Sequence, residues 1–135
     1  MVHHRISIPR ASATDLAPGG SEHQVRFTDL VPDADGAVVL AVTLPPGSDV
    51  GGWHRHDRGQ YLESISGTGW VRELGGAPVM LEPGDRIWCP PGVVHQHGAG
   101  PDAAWVQFSV TPGGTEWLTP EQLDDCAAPN GGSRS

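Results

Sequence analysis

Glycine and proline interrupt this chain so often that it has little room for long helices. Nineteen Gly and thirteen Pro are spread through 135 residues. They gather in clusters that favour turns: Pro32-Asp33-Ala34-Asp35-Gly36, Pro45-Pro46-Gly47, Gly67-Thr68-Gly69, Gly75-Gly76, Glu82-Pro83-Gly84-Asp85, Pro90-Pro91-Gly92 and Pro112-Gly113-Gly114. Between these breakers the chain reads as short strands: Val25 to Val31, Ala37 to Leu44, Gln60 to Ser66, Trp70 to Leu74, Val79 to Leu81, Arg86 to Cys89 and Ala103 to Val110. Gln60 to Ser66 alternates, as a half-buried strand should. Ala37 to Leu44 is an unbroken apolar run, expected to be buried on both faces. The spacing is that of an all-β sandwich or barrel. One helix signal stands near the end: Thr119-Pro120-Glu121-Gln122 places Thr at the N-cap, Pro at N1 and Gln at N3, opening a short helix to about Cys126.

This length fits one domain. We expect a polar lead-in over residues 1–21, a single folded domain over 22–126 and a disordered tail over 127–135, with His3, His4 and His23 solvated. All eight basic residues are Arg, against sixteen acidic ones, for a net charge of −8 with His neutral. Without a basic stripe, nucleic acid and anionic membranes are not expected partners. No apolar run approaches a membrane span, and Met1-Val2-His3-His4-Arg5 lacks the order of a signal peptide, so a cytoplasmic location is expected. Cys89 and Cys126 match neither a disulfide framework nor a zinc motif and are read as reduced thiols, Cys89 as core.

Four of the seven histidines fall in two clusters. One is Gly52-Trp53-His54-Arg55-His56-Asp57-Arg58-Gly59-Gln60; the other runs from Gly84 through Pro90-Pro91-Gly92 to His95-Gln96-His97. On an extended chain, residues two apart face the same way, so His54 projects with His56 and His95 with His97. Gln60 keeps the parity of His56 if the intervening turn preserves it. Three imidazoles and an amide oxygen converging inside a barrel suit a first-row divalent metal with positions left for water or substrate.

These motifs resemble the cupin superfamily over roughly residues 25–125. The family's first motif is His-x-His, three or four residues, Glu, six residues, Gly; here it reads His54-Arg55-His56, Gln60 and Gly67. The second is Gly, five residues, Pro-x-Gly, two residues, His, matched by Gly84, Pro90-Pro91-Gly92 and His95. The resemblance implies an all-β cupin fold, a double-stranded β-helix or jelly-roll barrel with a short C-terminal helix. It also implies metal ligation by His54, His56, Gln60 and His95, and a homodimer paired through the strand at Val25 to Val31. The stretch from His95 to Asp102, with Gly114-Thr115-Glu116-Trp117-Leu118, is further similar to small bacterial cupins that include manganese-dependent hydroxynitrile lyases. Those carry Gln as the fourth ligand and a second His two residues past the last, matching Gln60 and His97. Gln107 stands where they have another pocket histidine. Cupin-type polyketide cyclases are a more distant likeness.

The cofactor expected from this resemblance is one divalent transition metal per chain: manganese, iron, zinc or nickel. A neutral Gln60 in place of a carboxylate leaves the ion's full charge uncompensated. That favours Lewis-acid chemistry on a small, partly apolar organic substrate, of lyase, cyclase or isomerase type. His97 is the expected general acid–base, with Gln107 holding the substrate or orienting His97. Trp53, Trp88, Trp105, Leu44, Leu62 and Phe108 are the candidate pocket walls. Two other functions fit the same residues: an Fe(II)-dependent dioxygenase and a small-molecule-binding cupin without turnover.

Overall fold

The computed structural model describes residues 25–127. The polar lead-in, His3, His4, His23 and all of the expected tail beyond Ala127 lie outside them. The strands are β1 (Arg26–Asp29), β2 (Ala37–Leu44), β3 (His54–His56), β4 (Gln60–Ser66), β5 (Gly69–Glu73), β6 (Val79–Leu81), β7 (Arg86–Cys89), β8 (His95–Ala99), β9 (Trp105–Pro112) and β10 (Thr115–Trp117). They are followed by one helix, α1 (Pro120–Ala127). Two five-stranded antiparallel sheets, ordered β1-β2-β9-β4-β7 and β10-β3-β8-β5-β6, face each other as a jelly-roll barrel.

The expected strands recur within two residues of their sequence bounds. The capping box forms as read: the Gln122 backbone N–H donates to Thr119 Oγ1 at 3.2 Å, and the Thr119 N–H donates to Gln122 Oε1 at 2.8 Å. Three strands, β3, β8 and β10, go beyond that reading. β3 and β10 are only three residues long and find their partners across the sheet rather than in a local hairpin.

The core fills one half of the barrel interior with Leu44, Leu62, Val71, Leu81, Cys89, Ala99 and Trp105, and Val42 belongs to it while also bordering the other half. The Trp105 indole N–H donates to Ser64 Oγ at 2.8 Å, so this bulky side chain is buried with its one donor satisfied. Its ring lies where a Cβ at Gly69 would stand, which is why that strand begins with glycine. One expectation for β2 is corrected. Only Ala41–Leu44 is fully buried, whereas Val38 is 45% exposed. The apolar run has two environments because its first half borders the open mouth of the barrel and its second half enters the core.

The second histidine motif is joined to the first through its turn. Gly92 adopts φ +79°, a left-handed conformation that a side chain would strain. In that turn its N–H donates to the His56 carbonyl at 2.9 Å. No disulfide joins Cys89 to Cys126. Burial holds the Cys89 thiol protonated, with its pKa pushed up to about 12, as expected of a packing thiol. No helix among the described residues is long and apolar enough to cross a membrane.

Candidate metal centre

The other half of the barrel interior is polar. The second sheet supplies His54 and His56 from β3 and His95 and His97 from β8, with His54 directly opposite His95 in register. The first sheet supplies Gln60 from β4 and Gln107 from β9. Gln60 therefore meets His56 across the barrel rather than along one strand, because the turn at residues 57–59 carries the chain from one sheet to the other. All six side chains are buried.

The four imidazoles form a compact cluster. The His54 ring centroid lies 4.4 Å from His95, 5.1 Å from His56 and 5.3 Å from His97. His56 and His95 are 5.1 Å apart. Among the described residues, His54, His95 and His97 each bring one ring nitrogen within 4.8 Å of the others.

Hydrogen bonds assign most of the nitrogens. His54 Nδ1–H donates to the Gly52 carbonyl at 2.9 Å, and His95 Nδ1–H donates to the Val93 carbonyl at 3.0 Å. A carbonyl only accepts, so both protons sit on Nδ1 and both Nε2 atoms carry lone pairs. His56 Nδ1 meets Thr115 Oγ1 at 2.8 Å. The Gln60 amide N–H donates to Thr111 Oγ1 at 2.9 Å, which leaves its Oε1 for the cavity side. His56 Nε2, His95 Nε2 and Gln60 Oε1 are all buried without a protein partner. Such atoms are costly to leave unpaired. Two assigned nitrogen lone pairs, the His56 ring and one amide oxygen are donor types that suit a divalent first-row ion. The ring nitrogens that come within 4.8 Å of one another are, however, those of His54, His95 and His97 and not His56.

His97 is engaged differently. Its Nδ1 accepts the Gln107 amide N–H at 3.1 Å, while Gln107 Oε1 is buried and unpartnered. Burial keeps every member of the cluster neutral. It lowers the pKa of His54 to about 3, against a weaker opposing pull from the Gly52 carbonyl, and neighbouring His95 and His56 depress it further. Burial, then His95, lowers His56 to about 4. Burial also brings down His95, and it holds His97 well below the usual imidazole range. Neutral imidazoles are the ligand form.

A cavity of about 130 Å³ opens onto His54, His56, Gln60, His97 and Gln107. Its apolar wall comes from Phe27, Val38, Leu40, Val42, Val50 and Trp117, which corrects the expected walls. Trp105, Leu44 and Leu62 belong to the core half, and Phe108 packs edge-on against Tyr61. Trp88 is 52% exposed, and Trp53 lies beneath the Arg72 guanidinium, 4.9 Å from its ring centroid. Sequence reasoning missed Trp117, whose indole packs against His54 in a tilted arrangement with ring centroids 4.4 Å apart. No local sequence signal marks it; it reaches the site because β10 pairs with β3 and sets Trp117 opposite His54 in register.

A two-sheet barrel with clustered inward histidines defines a class of protein, and the sequence comparisons agree with it. The chain belongs to the cupin domain family, whose sequence profile matches residues 40–110. It is 39% identical over 88 residues to an (R)-mandelonitrile lyase from Granulicella tundricola, a match covering 64% of this chain and 66% of the relative. The chain thus aligns with about two thirds of that relative's length. A cupin-like protein from Thermotoga maritima superposes with a TM-score of 0.63 at 33% identity, covering 78% of this chain and 84% of that one. A double-stranded β-helix protein from Klebsiella pneumoniae shares the fold at 23% identity, with a TM-score of 0.62 and coverage of 80% and 95%.

Proposed function

We propose that this protein is a metal-dependent cupin enzyme of lyase type acting on a small, partly apolar organic substrate. His54, His56, Gln60 and His95 hold one divalent transition metal in this reading, and His97 with Gln107 handles the proton. The observation that carries it is the set of buried, unpartnered ligand atoms, His56 Nε2, His95 Nε2 and Gln60 Oε1, on side chains whose other polar atoms are already bonded. When bound, such an ion supplies a Lewis acid for a substrate oxygen.

The hydrogen bond to Gln107 separates the role of His97 from those of its neighbours. With the amide N–H on Nδ1, the imidazole proton lies on Nε2, where a ligand would need a lone pair. Turning the amide over presents Oε1 instead and moves that proton to Nδ1. Gln107 thus supports both tautomers. One donates a hydrogen bond to a substrate oxygen, and the other accepts its proton. Phe27, Leu40, Val42 and Trp117 receive the apolar part of the substrate. The relative named as a lyase on (R)-mandelonitrile supports the lyase reading.

Metal content by plasma mass spectrometry, on protein purified without chelators, tests the centre. Near-stoichiometric manganese, iron, zinc or nickel is expected. No metal after reconstitution with each ion would overturn the centre and leave a small-molecule-binding cupin. His97→Ala should retain the metal and lose about 10²–10⁴-fold of turnover, assayed first on (R)-mandelonitrile. Unchanged kinetics on a substrate the parent turns over would remove His97 from the chemistry.

A further inference from the structure

We infer that Thr115 is a positioning residue for the metal centre, holding His56 in the tautomer that a ligand needs; this rests on the metal reading above. The three proposed histidine ligands are not oriented alike. His54 and His95 each hydrogen-bond a backbone carbonyl two residues back, at Gly52 and Val93, so their own strands fix them. His56 instead relies on a side chain 59 positions away, the hydroxyl of Thr115 at 2.8 Å.

The register explains how this partner is delivered. Thr115 lies directly opposite His56 in the β3–β10 ladder. β10 is a short, exposed outer strand, and several contacts tie it to β3 and α1. Arg55 Nε donates to Glu116 Oε1 at 2.8 Å, and the Gln122 amide donates to Glu116 Oε2 at 3.2 Å. The Gly114 N–H donates to Asp57 Oδ1 at 2.8 Å, and the Leu118 N–H donates to the Trp53 carbonyl at 3.1 Å.

Thr115 also marks a boundary. It lines both the inner cavity and an outer groove of about 570 Å³ between β3, β10 and the Pro91-Gly92 turn. In the inferred arrangement the hydroxyl accepts the proton of His56 Nδ1, and Nε2, which has no protein partner, presents its lone pair to the cavity. A methyl in its place keeps the shape of the wall and removes the acceptor.

The test compares the wild type with Thr115→Val and Thr115→Ser. Circular dichroism checks the fold, Zn(II) is titrated against a chromophoric chelator, and ¹⁵N NMR reads the tautomer of His56 in the metal-free proteins. Thr115→Val should weaken Zn(II) binding by about 10–100-fold and move His56 from the Nδ1–H form towards a mixture. Thr115→Ser should restore both. Wild-type affinity and tautomer in Thr115→Val would overturn the inference, as would an equal loss in Thr115→Ser, which would point to strand packing instead of the hydroxyl. A wild type that fails to bind Zn(II) or any other ion overturns the metal reading itself, and the tautomer comparison still decides what Thr115 does.

Discussion

The two halves of the barrel interior are equally buried and opposite in character. In one, Leu44, Leu62, Leu81 and Trp105 pack together, and the indole donor finds Ser64. In the other, His54, His56, Gln60, His95, His97 and Gln107 are also buried, yet four of their polar atoms have no protein partner. Burying an apolar side chain stabilises the fold by about 1.5–3 kcal/mol. Each unpartnered buried polar atom opposes it by about 1–3 kcal/mol. The apolar half therefore holds the barrel closed, and the polar half is a destabilising cluster kept in place by its neighbours. A protein that maintains such a cluster has a use for its unpaired atoms.

The division breaks most completely if the imidazoles are removed. His54→Ala combined with His56→Ala should abolish stoichiometric metal uptake while the β circular-dichroism spectrum persists, because neither ring contributes to the apolar cluster. Retained metal in that variant would place the centre elsewhere. The converse change is smaller and acts on the other half. Leu62 is completely buried, so Leu62→Ala should lose about 2–5 kcal/mol of unfolding free energy in urea. The folded fraction of that variant should still bind metal at the wild-type ratio. Loss of metal binding in protein that remains folded would show that the two halves are coupled rather than divided.

The sequence reveals these two halves unequally. Pro-Gly turns and alternation disclose most of the strands because both signals are local. The His54/His56 and His95/His97 pairs are legible for the same reason, since a period of two survives in any extended strand. Thr115, Glu116 and Trp117 carry no such signal. Their strand is three exposed residues long, without alternation, and its partners are 59 to 63 positions back in the chain. The cavity walls were misread because facing in β2 cannot be told from an unbroken apolar run. Tryptophan identity does not help either: Trp105 is in the core, Trp117 at the mouth and Trp88 outside. Gln60 was legible as a ligand candidate by spacing, but its approach from the opposite sheet depends on how the turn at 57–59 crosses between sheets. That is a property of the closed barrel.

The mildest probe of the division is pH, applied to metal-free protein. In the fold, the pKa of His54 is lowered to about 3 and that of His56 to about 4, and His95 and His97 shift the same way. In the unfolded chain these groups titrate near pH 6.5. Below that value the unfolded state binds more protons than the native state, so stability rises with pH across this range. The neutral cluster is fully compatible with folding above about pH 7.5. Its contribution begins to be lost as pH falls through 6.5 and continues to fall towards the folded values. Between pH 7 and 6, His54 alone accounts for about 0.7 kcal/mol, calculated from its unfolded titration, and the other three act in the same direction. Urea midpoints measured at the two pH values should therefore fall on acidification in the wild type and fall less in the His54→Ala, His56→Ala variant. Leu62→Ala, which leaves the cluster intact, should keep the wild-type slope. Equal slopes in wild type and the double histidine variant would mean that the polar half titrates in the fold much as it does in water, and the contrast between the two halves would disappear.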